Sequence, residues 1–261
     1  MKTTVILRIL ICLLAAAGIW CGYRYYGDVI RPEREIAAAD REQTELFAQI
    51  RPVMSQPAET AASREASPAP AAPSPPQPEP LAPAAEVNSA VVGWITIPGT
   101  HIDYPIVQGD DNDFYLHHGF DGKPNQELGC PFLDCRCAGD FSGFNSIVYA
   151  HHMTKQRMFA DIALFQDAQF LDSHSTGCLT LNDGTHEVRF FAYLNVPDTD
   201  ALYQTGFRTD DEKQTYLDYV SETAVYTAFT GIPTDARLLL LSTCTFEFEG
   251  ARGVLAGVIA E

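Results

Sequence analysis

The feature that most constrains this chain is a stretch that cannot build a core. Between Pro52 and Pro83 lie 10 of its 17 prolines, set among alanines in PVMSQPAETAASREASPAPAAPSPPQPEPLAPAAE. Proline removes a backbone donor and fixes φ, and few side chains here are large enough to bury. Residues 52–86 therefore read as a Pro/Ala-rich linker. In polyproline II form, ~32 such residues reach roughly 100 Å at about 3.1 Å each. The linker leaves an N-terminal part and a C-terminal part, Val87–Glu261, of 175 residues.

The N-terminal part begins MKTTVILRILICLLAAAGIWCGYRYYG, with no charge from Ile9 to Tyr23. Extending back to Thr3 gives 21 residues with one charge, Arg8. That matches the roughly 20 residues that cross a bilayer, with Trp20, Tyr23, Tyr25 and Tyr26 as an interfacial belt. A cleaved signal peptide is the competing reading. No small-x-small site precedes a polar mature start, and Trp20 rather than a small residue precedes Cys21. Residues 1–27 are expected to be a single-pass membrane anchor with the N-terminus inside. Residues 28–51 are expected to be a helical juxtamembrane segment, with Ile36, Phe47 and Ile50 near one face and Pro52 ending it.

Residues 87–261 carry 24 acidic against 9 basic side chains, a net charge of −15. Such a domain repels phosphate backbones, which argues strongly against nucleic-acid binding. Strand-like runs recur at 91–98, 102–107, 146–150, 178–181, 188–196, 236–244 and 253–260, separated by Gly, Pro and Asp. Helical patches are few: Asp113–His117, Met158–Phe165, and 209–229 with Thr209 as N-cap. The pattern is mainly β, a barrel or a sandwich.

Three places in this part suggest chemistry. Cys244 ends the apolar run LLLLSTC, where a strand can present a thiol to a cleft; the alternative is a buried structural cysteine. Arg252 follows eight residues later, across a short loop. There it can donate to developing negative charge, or simply pair with Glu247 or Glu249. His151 and His152 follow the strand SIVYA, and histidine is the usual proton partner of a thiol nucleophile. Adjacent residues on an extended chain point to opposite sides, so one of the two faces a given cleft. Seven cysteines, an odd number, leave at least one thiol without an intramolecular partner. Cys130, Cys135 and Cys137 form C-x4-C-x-C, readable as a disulfide within the trio, as free thiols, or as a zinc site of unusual spacing.

Taken together, NSIVYAHHM, LSTC and the arginine eight residues on, behind an N-terminal anchor, resemble the sortase family, class B most closely. GWITIPGTHIDYPIVQGDDNDFYLHHGFDG and MFADIALFQDAQFLDSH extend the likeness over nearly all of residues 88–261. The resemblance implies a closed eight-stranded β-barrel with helices on its rim. It implies a cysteine transpeptidase on the outer face of a Gram-positive membrane, acting without metal or other cofactor. Its partners would be a secreted protein with a C-terminal sorting signal and, as acceptor, an amine of a peptidoglycan precursor or a pilin. By the same resemblance Cys244 is the nucleophile, His151 the general acid and base, and Arg252 the donor to the oxyanion or the substrate backbone. Asn112, Leu116, Ser242 and Tyr203 line the substrate groove. The chain departs from the family pattern at Ala150, usually Gly, and at Leu240, usually Thr. Two other functions stay open: a cysteine peptidase with water as acceptor, and a non-enzymatic wall-binding module on a stalk.

Overall fold

The run Arg237–Cys244 lacks polar alternation because both its faces are covered: Leu238, Leu239, Leu240 and Leu241 are all fully enclosed. The computed structural model describes residues 2–52, 79–125, 127–153 and 155–260, with the backbone alone for 2–10 and 12. It divides into two compact units, Met1–Glu45 and Leu46–Glu261.

In the first unit, α1 (Lys2–Tyr25) passes through a π-helical turn, Tyr26–Ile30, into α2 (Arg31–Ile50). Ion pairs four residues apart, Arg24–Asp28 at 3.0 Å and Arg31–Glu35 at 2.8 Å, support the helical turns. Among the described residues no helix is long and apolar enough to cross a membrane. The span expected over residues 3–23 rests in part on side chains 3–10 and 12, which lie outside the described residues, as does most of the expected linker, 53–78.

In the second unit the strands are β1 (Val91–Thr96), β2 (Asp103–Val107), β3 (Phe132–Leu133), β4 (Asn145–Tyr149), β5 (His152–Met153), β6 (Arg157–Met158), β7 (Thr176–Leu181), β8 (Gly184–Pro197), β9 (Tyr226–Thr227), β10 (Arg237–Cys244) and β11 (Ala251–Ile259). Eight of them run in the order β11-β10-β4-β3-β2-β1-β7-β8, and β8 pairs back to β11. The sheet is thus a closed eight-stranded barrel, with β9 added beside β8 and β5–β6 a separate hairpin. Closure leaves no long unpaired edge within the barrel. The β10–β4 and β2–β3 pairs are parallel; the other barrel pairs are antiparallel.

Helices α3 (Ala82–Val87), α4 (Ala168–Ser173) and α5 (Asp210–Thr223) complete the unit. Tyr216, Leu217 and Val220 of α5 pack on Leu238, Leu240, Val254 and Ala256, an outer face of the barrel. The alternate residues Leu239, Leu241 and Leu255 point inward. The last turn of α2, Leu46–Ile50, belongs to this unit. Phe47 sits edge-on to Trp94, Tyr104 and Phe120 at 5.9, 6.1 and 5.9 Å between ring centres. Arg51 pairs with Asp103 at 2.9 Å, and Asp103 also accepts from Trp94 Nε1 at 2.8 Å.

Several sequence expectations are corrected. Helix α3 starts at Ala82, before Val87: Leu81 and Ala84, inside the stretch expected to be linker, are buried in one cluster with Phe47 and Trp94. Two apolar residues of PEPLAPAAEV, Leu81 and Ala84, suffice to join that cluster, although the surrounding composition is low-complexity. The helix expected over 209–229 does start at an N-cap Thr209, whose hydroxyl accepts from Glu212 N. It ends at Thr223, because Val225 N and Ala228 N bond instead to the carbonyls of Tyr193 and Phe191 on β8. Asp113–His117 and Met158–Phe165 become short 3-10 turns, Phe114–Leu116 and Ala160–Gln166, and the α-helix beyond the second is capped by Asp167.

Candidate active site

Strand register brings the chemistry together. In the parallel β4–β10 pair, Ser242 lies opposite Tyr149. Two residues further along each strand are Cys244 and His151, on the same face as that pair. In the antiparallel β10–β11 pair, Cys244 lies opposite Arg252. Cysteine, histidine and arginine thus leave three neighbouring strand ends on one side of the sheet, all half-buried. The connecting turn is closed by Gly250 at φ 74°, a left-handed conformation that favours glycine. A side chain at Gly253 would meet the Tyr193 hydroxyl and the Thr245 methyl within 3.0 Å, so β11 approaches its neighbours here through glycine.

These residues line a cleft of about 710 Å³, whose walls include all seven sequence candidates: Asn112, Leu116, His151, Tyr203, Ser242, Cys244 and Arg252. His151 Nε2 bonds to the Leu116 carbonyl at 2.8 Å, so Leu116 contributes its backbone as well as its side chain. The Tyr203 and Ser242 hydroxyls are 3.0 Å apart. Burial pushes the Tyr203 phenol up to about 12, against the opposing pull of Ser242 and Arg252. Asn112 Oδ1 accepts from Cys135 N at 2.8 Å, which orients its amide at the far end of the cleft. Thr243 Oγ1 donates to the Ala150 carbonyl at 2.9 Å, tying the ends of β10 and β4 together. His152 lies on the other side of its strand, edge-on to Phe246 at 5.3 Å.

Sequence reading missed several cleft residues. Tyr149 was within its reach, because the period of two that separates His151 from His152 puts Tyr149 beside His151. Arg136, in the cleft wall, and the buried Asp134 that it pairs with had no signal. Asp134 is fully buried, bonded by Arg136 Nε and Nη2 at 2.9 and 2.6 Å and by the Tyr149 hydroxyl at 3.0 Å. Burial opposes its ionisation, but the bonds from Arg136, Asn112 and Tyr149 outweigh that and lower its pKa. Arg136 Nη2 also reaches the Tyr203 carbonyl at 3.2 Å. Arg252 pairs neither with Glu247 nor with Glu249. Its Nη2 donates to Asp198 Oδ2 at 3.2 Å, from a segment 54 residues away.

Among the described residues no group of three or more His, Cys, Asp or Glu is arranged to hold a metal ion. Cys130, Cys135 and Cys137 are free thiols, buried, exposed and half-buried in turn. A thiol and an imidazole lining one cleft, with an arginine opposite the thiol in the strand register, can attack a carbonyl, exchange a proton with a leaving or entering amine, and stabilise the oxyanion.

No protein-family model matches the chain. It is similar to sortase B of Listeria monocytogenes, 37% identical over 175 residues, which is 66% of this chain and 70% of that protein. It is 28% identical over 159 residues to sortase B of Staphylococcus aureus, covering 61% of this chain and 65% of that one. A solved Staphylococcus aureus sortase B–substrate complex superposes with a TM-score of 0.64 at 26% identity, over 68% of this chain and 83% of that one.

Proposed function

The chain belongs to the sortase B family of cysteine transpeptidases, and from that premise we propose that it is a membrane-anchored enzyme that cleaves a sorting motif in secreted proteins and transfers the acyl part to a cell-wall or pilin amine. One observation carries the reading: Cys244, His151 and Arg252 converge on one cleft from the ends of β4, β10 and β11. The Cys244 thiolate attacks the scissile carbonyl carbon. The C–N bond breaks, the leaving amine takes a proton from His151, and a thioester remains. The acceptor amine then attacks the thioester and gives a proton to His151, and Cys244 leaves as thiolate. Arg252 donates to the oxyanion of each tetrahedral intermediate. Asn112, Leu116, Tyr203 and Ser242 position the peptide along the cleft. The apolar run at the N-terminus supports anchoring in the cell membrane, with the catalytic domain outside. The staphylococcal relative solved as a substrate complex supports a substrate-binding role for the same cleft here.

The test is product analysis of a sorting-type peptide incubated with the enzyme, with and without an amine acceptor. A transpeptidase yields the amide of the acceptor. Hydrolysis at the same rate, with no amide formed at any acceptor concentration, makes the protein a cysteine peptidase instead.

A further inference from the structure

We propose that Asp198 is a positioning residue for this reaction: its carboxylate sets the direction in which the Arg252 guanidinium points into the cleft. The proposal rests on the role given to Arg252 above. An arginine side chain is long and loses rotamer freedom when it is held in one orientation. Here two contacts hold it. Arg252 Nη2 donates to Asp198 Oδ2 at 3.2 Å, and Nη1 donates to the Ala251 carbonyl at 3.1 Å. Of the two acids nearer in sequence, Glu247 is engaged with Thr245 and Asn195.

Asp198 is itself fixed. Its backbone N–H donates to the Gly250 carbonyl at 3.0 Å, which joins the end of β8 to the turn that precedes Arg252. Two residues on, Asp200 accepts from Leu202 N at 2.8 Å and from the Tyr219 hydroxyl at 2.6 Å. At the other end of the same segment, Tyr203 bonds Ser242. A run of six residues, 198–203, thus reaches the ends of both β10 and β11, touching Ser242 two residues before the nucleophile and Arg252 opposite it. A donor already aimed at the oxyanion needs no reorientation as charge develops, which is where such donors gain their effect. Asp198 does not touch the reacting atoms; it acts through Arg252.

The experiment measures kcat and KM for a sorting-type peptide plus amine acceptor, using the full chain, with Asp198→Asn and Asp198→Ala made alone and in an Arg252→Ala background. Thermal melts accompany each, and the isosteric Asp198→Asn carries the comparison if the alanine variant melts early. We expect Asp198→Ala to lower kcat about tenfold and Asp198→Asn by less, with KM within about twofold. In the Arg252→Ala background neither change should cost further turnover, because the group it acts through is gone. Wild-type kcat in Asp198→Ala, beside an impaired Arg252→Ala, overturns the proposal alone. So do losses that multiply in the double variant. Full turnover in Arg252→Ala overturns the catalytic reading of Arg252, and this proposal with it.

Discussion

His151 Nε2 donates a hydrogen bond to the main-chain carbonyl of Leu116 at 2.8 Å. A carbonyl oxygen only accepts, so Nε2 carries a proton, and in the neutral ring Nδ1 is the atom left to take one. The bond also ties the histidine to the segment bearing Asn112 and Leu116, so one loop both lines the cleft and orients the His151 ring.

The histidine pair is the first test. His151→Ala should lower transpeptidation by at least about 100-fold, the usual worth of a positioned acid and base. His152→Ala should stay within about threefold, because its ring packs on Phe246 away from the cleft. Steady-state assay with circular dichroism decides; a dead His152→Ala beside an active His151→Ala reverses the assignment. In the same assay Cys244→Ala should form no acyl-enzyme by mass spectrometry.

The contact between Tyr203 and Ser242 is worth about 1 kcal/mol as a hydrogen bond, or roughly fivefold in kcat/KM if it shapes the cleft. Tyr203→Phe and Ser242→Ala should each show that loss, and the double variant no more than the larger single. Losses that multiply would mean the two hydroxyls act on the peptide separately.

Alkaline pH should destabilise the fold. Burial raises the phenols of Tyr203 and Tyr193 to about 12, against about 10 in an unfolded chain. Between those values the unfolded state binds fewer protons, so stability is full below pH about 10 and falls as pH rises toward about 12. Melting temperatures across that range should drop, with phenolate absorbance appearing together with unfolding. A flat profile would show that these phenols are not sequestered.

The cysteine trio should separate by reactivity. Burial raises the Cys130 thiol well above the ordinary cysteine range and the Cys137 thiol up to about 11, while Cys135 is exposed. Iodoacetamide at neutral pH should alkylate Cys135 and spare Cys130 and Cys137, as read by peptide mapping. Replacing Cys135 and Cys137 by Ser should leave most transpeptidation intact, and a loss of activity in a folded variant would point to a redox role.

The anchor is tested on cells. Protease added to protoplasts should release a soluble fragment by cutting between residues 52 and 80. A mature N-terminus after residue 21 would show that the segment is a cleaved signal.

Local pattern reached far in this chain. Continuous apolar runs marked the strands, Thr209 marked the start of α5, and the alternation of side chains separated His151 from His152. Cys244 and Arg252 were legible as a pair because one short turn links them, and turns are local. None of this required knowing which strands pair. Pairing across long separations arises from barrel closure, where buried faces find the partners that enclose them, and no short window of sequence records it. That step set β4 parallel to β10, placing His151 beside Cys244. It carried Asp198 to Arg252, brought the Leu116 carbonyl to His151, and turned residues 226–227 from helix to strand by offering them the free side of β8. The sequence by itself determined the longer strands and the reactive groups; the closed sheet decided the short strands, where the helices stop and which groups meet, because contacts between distant segments are chosen by packing.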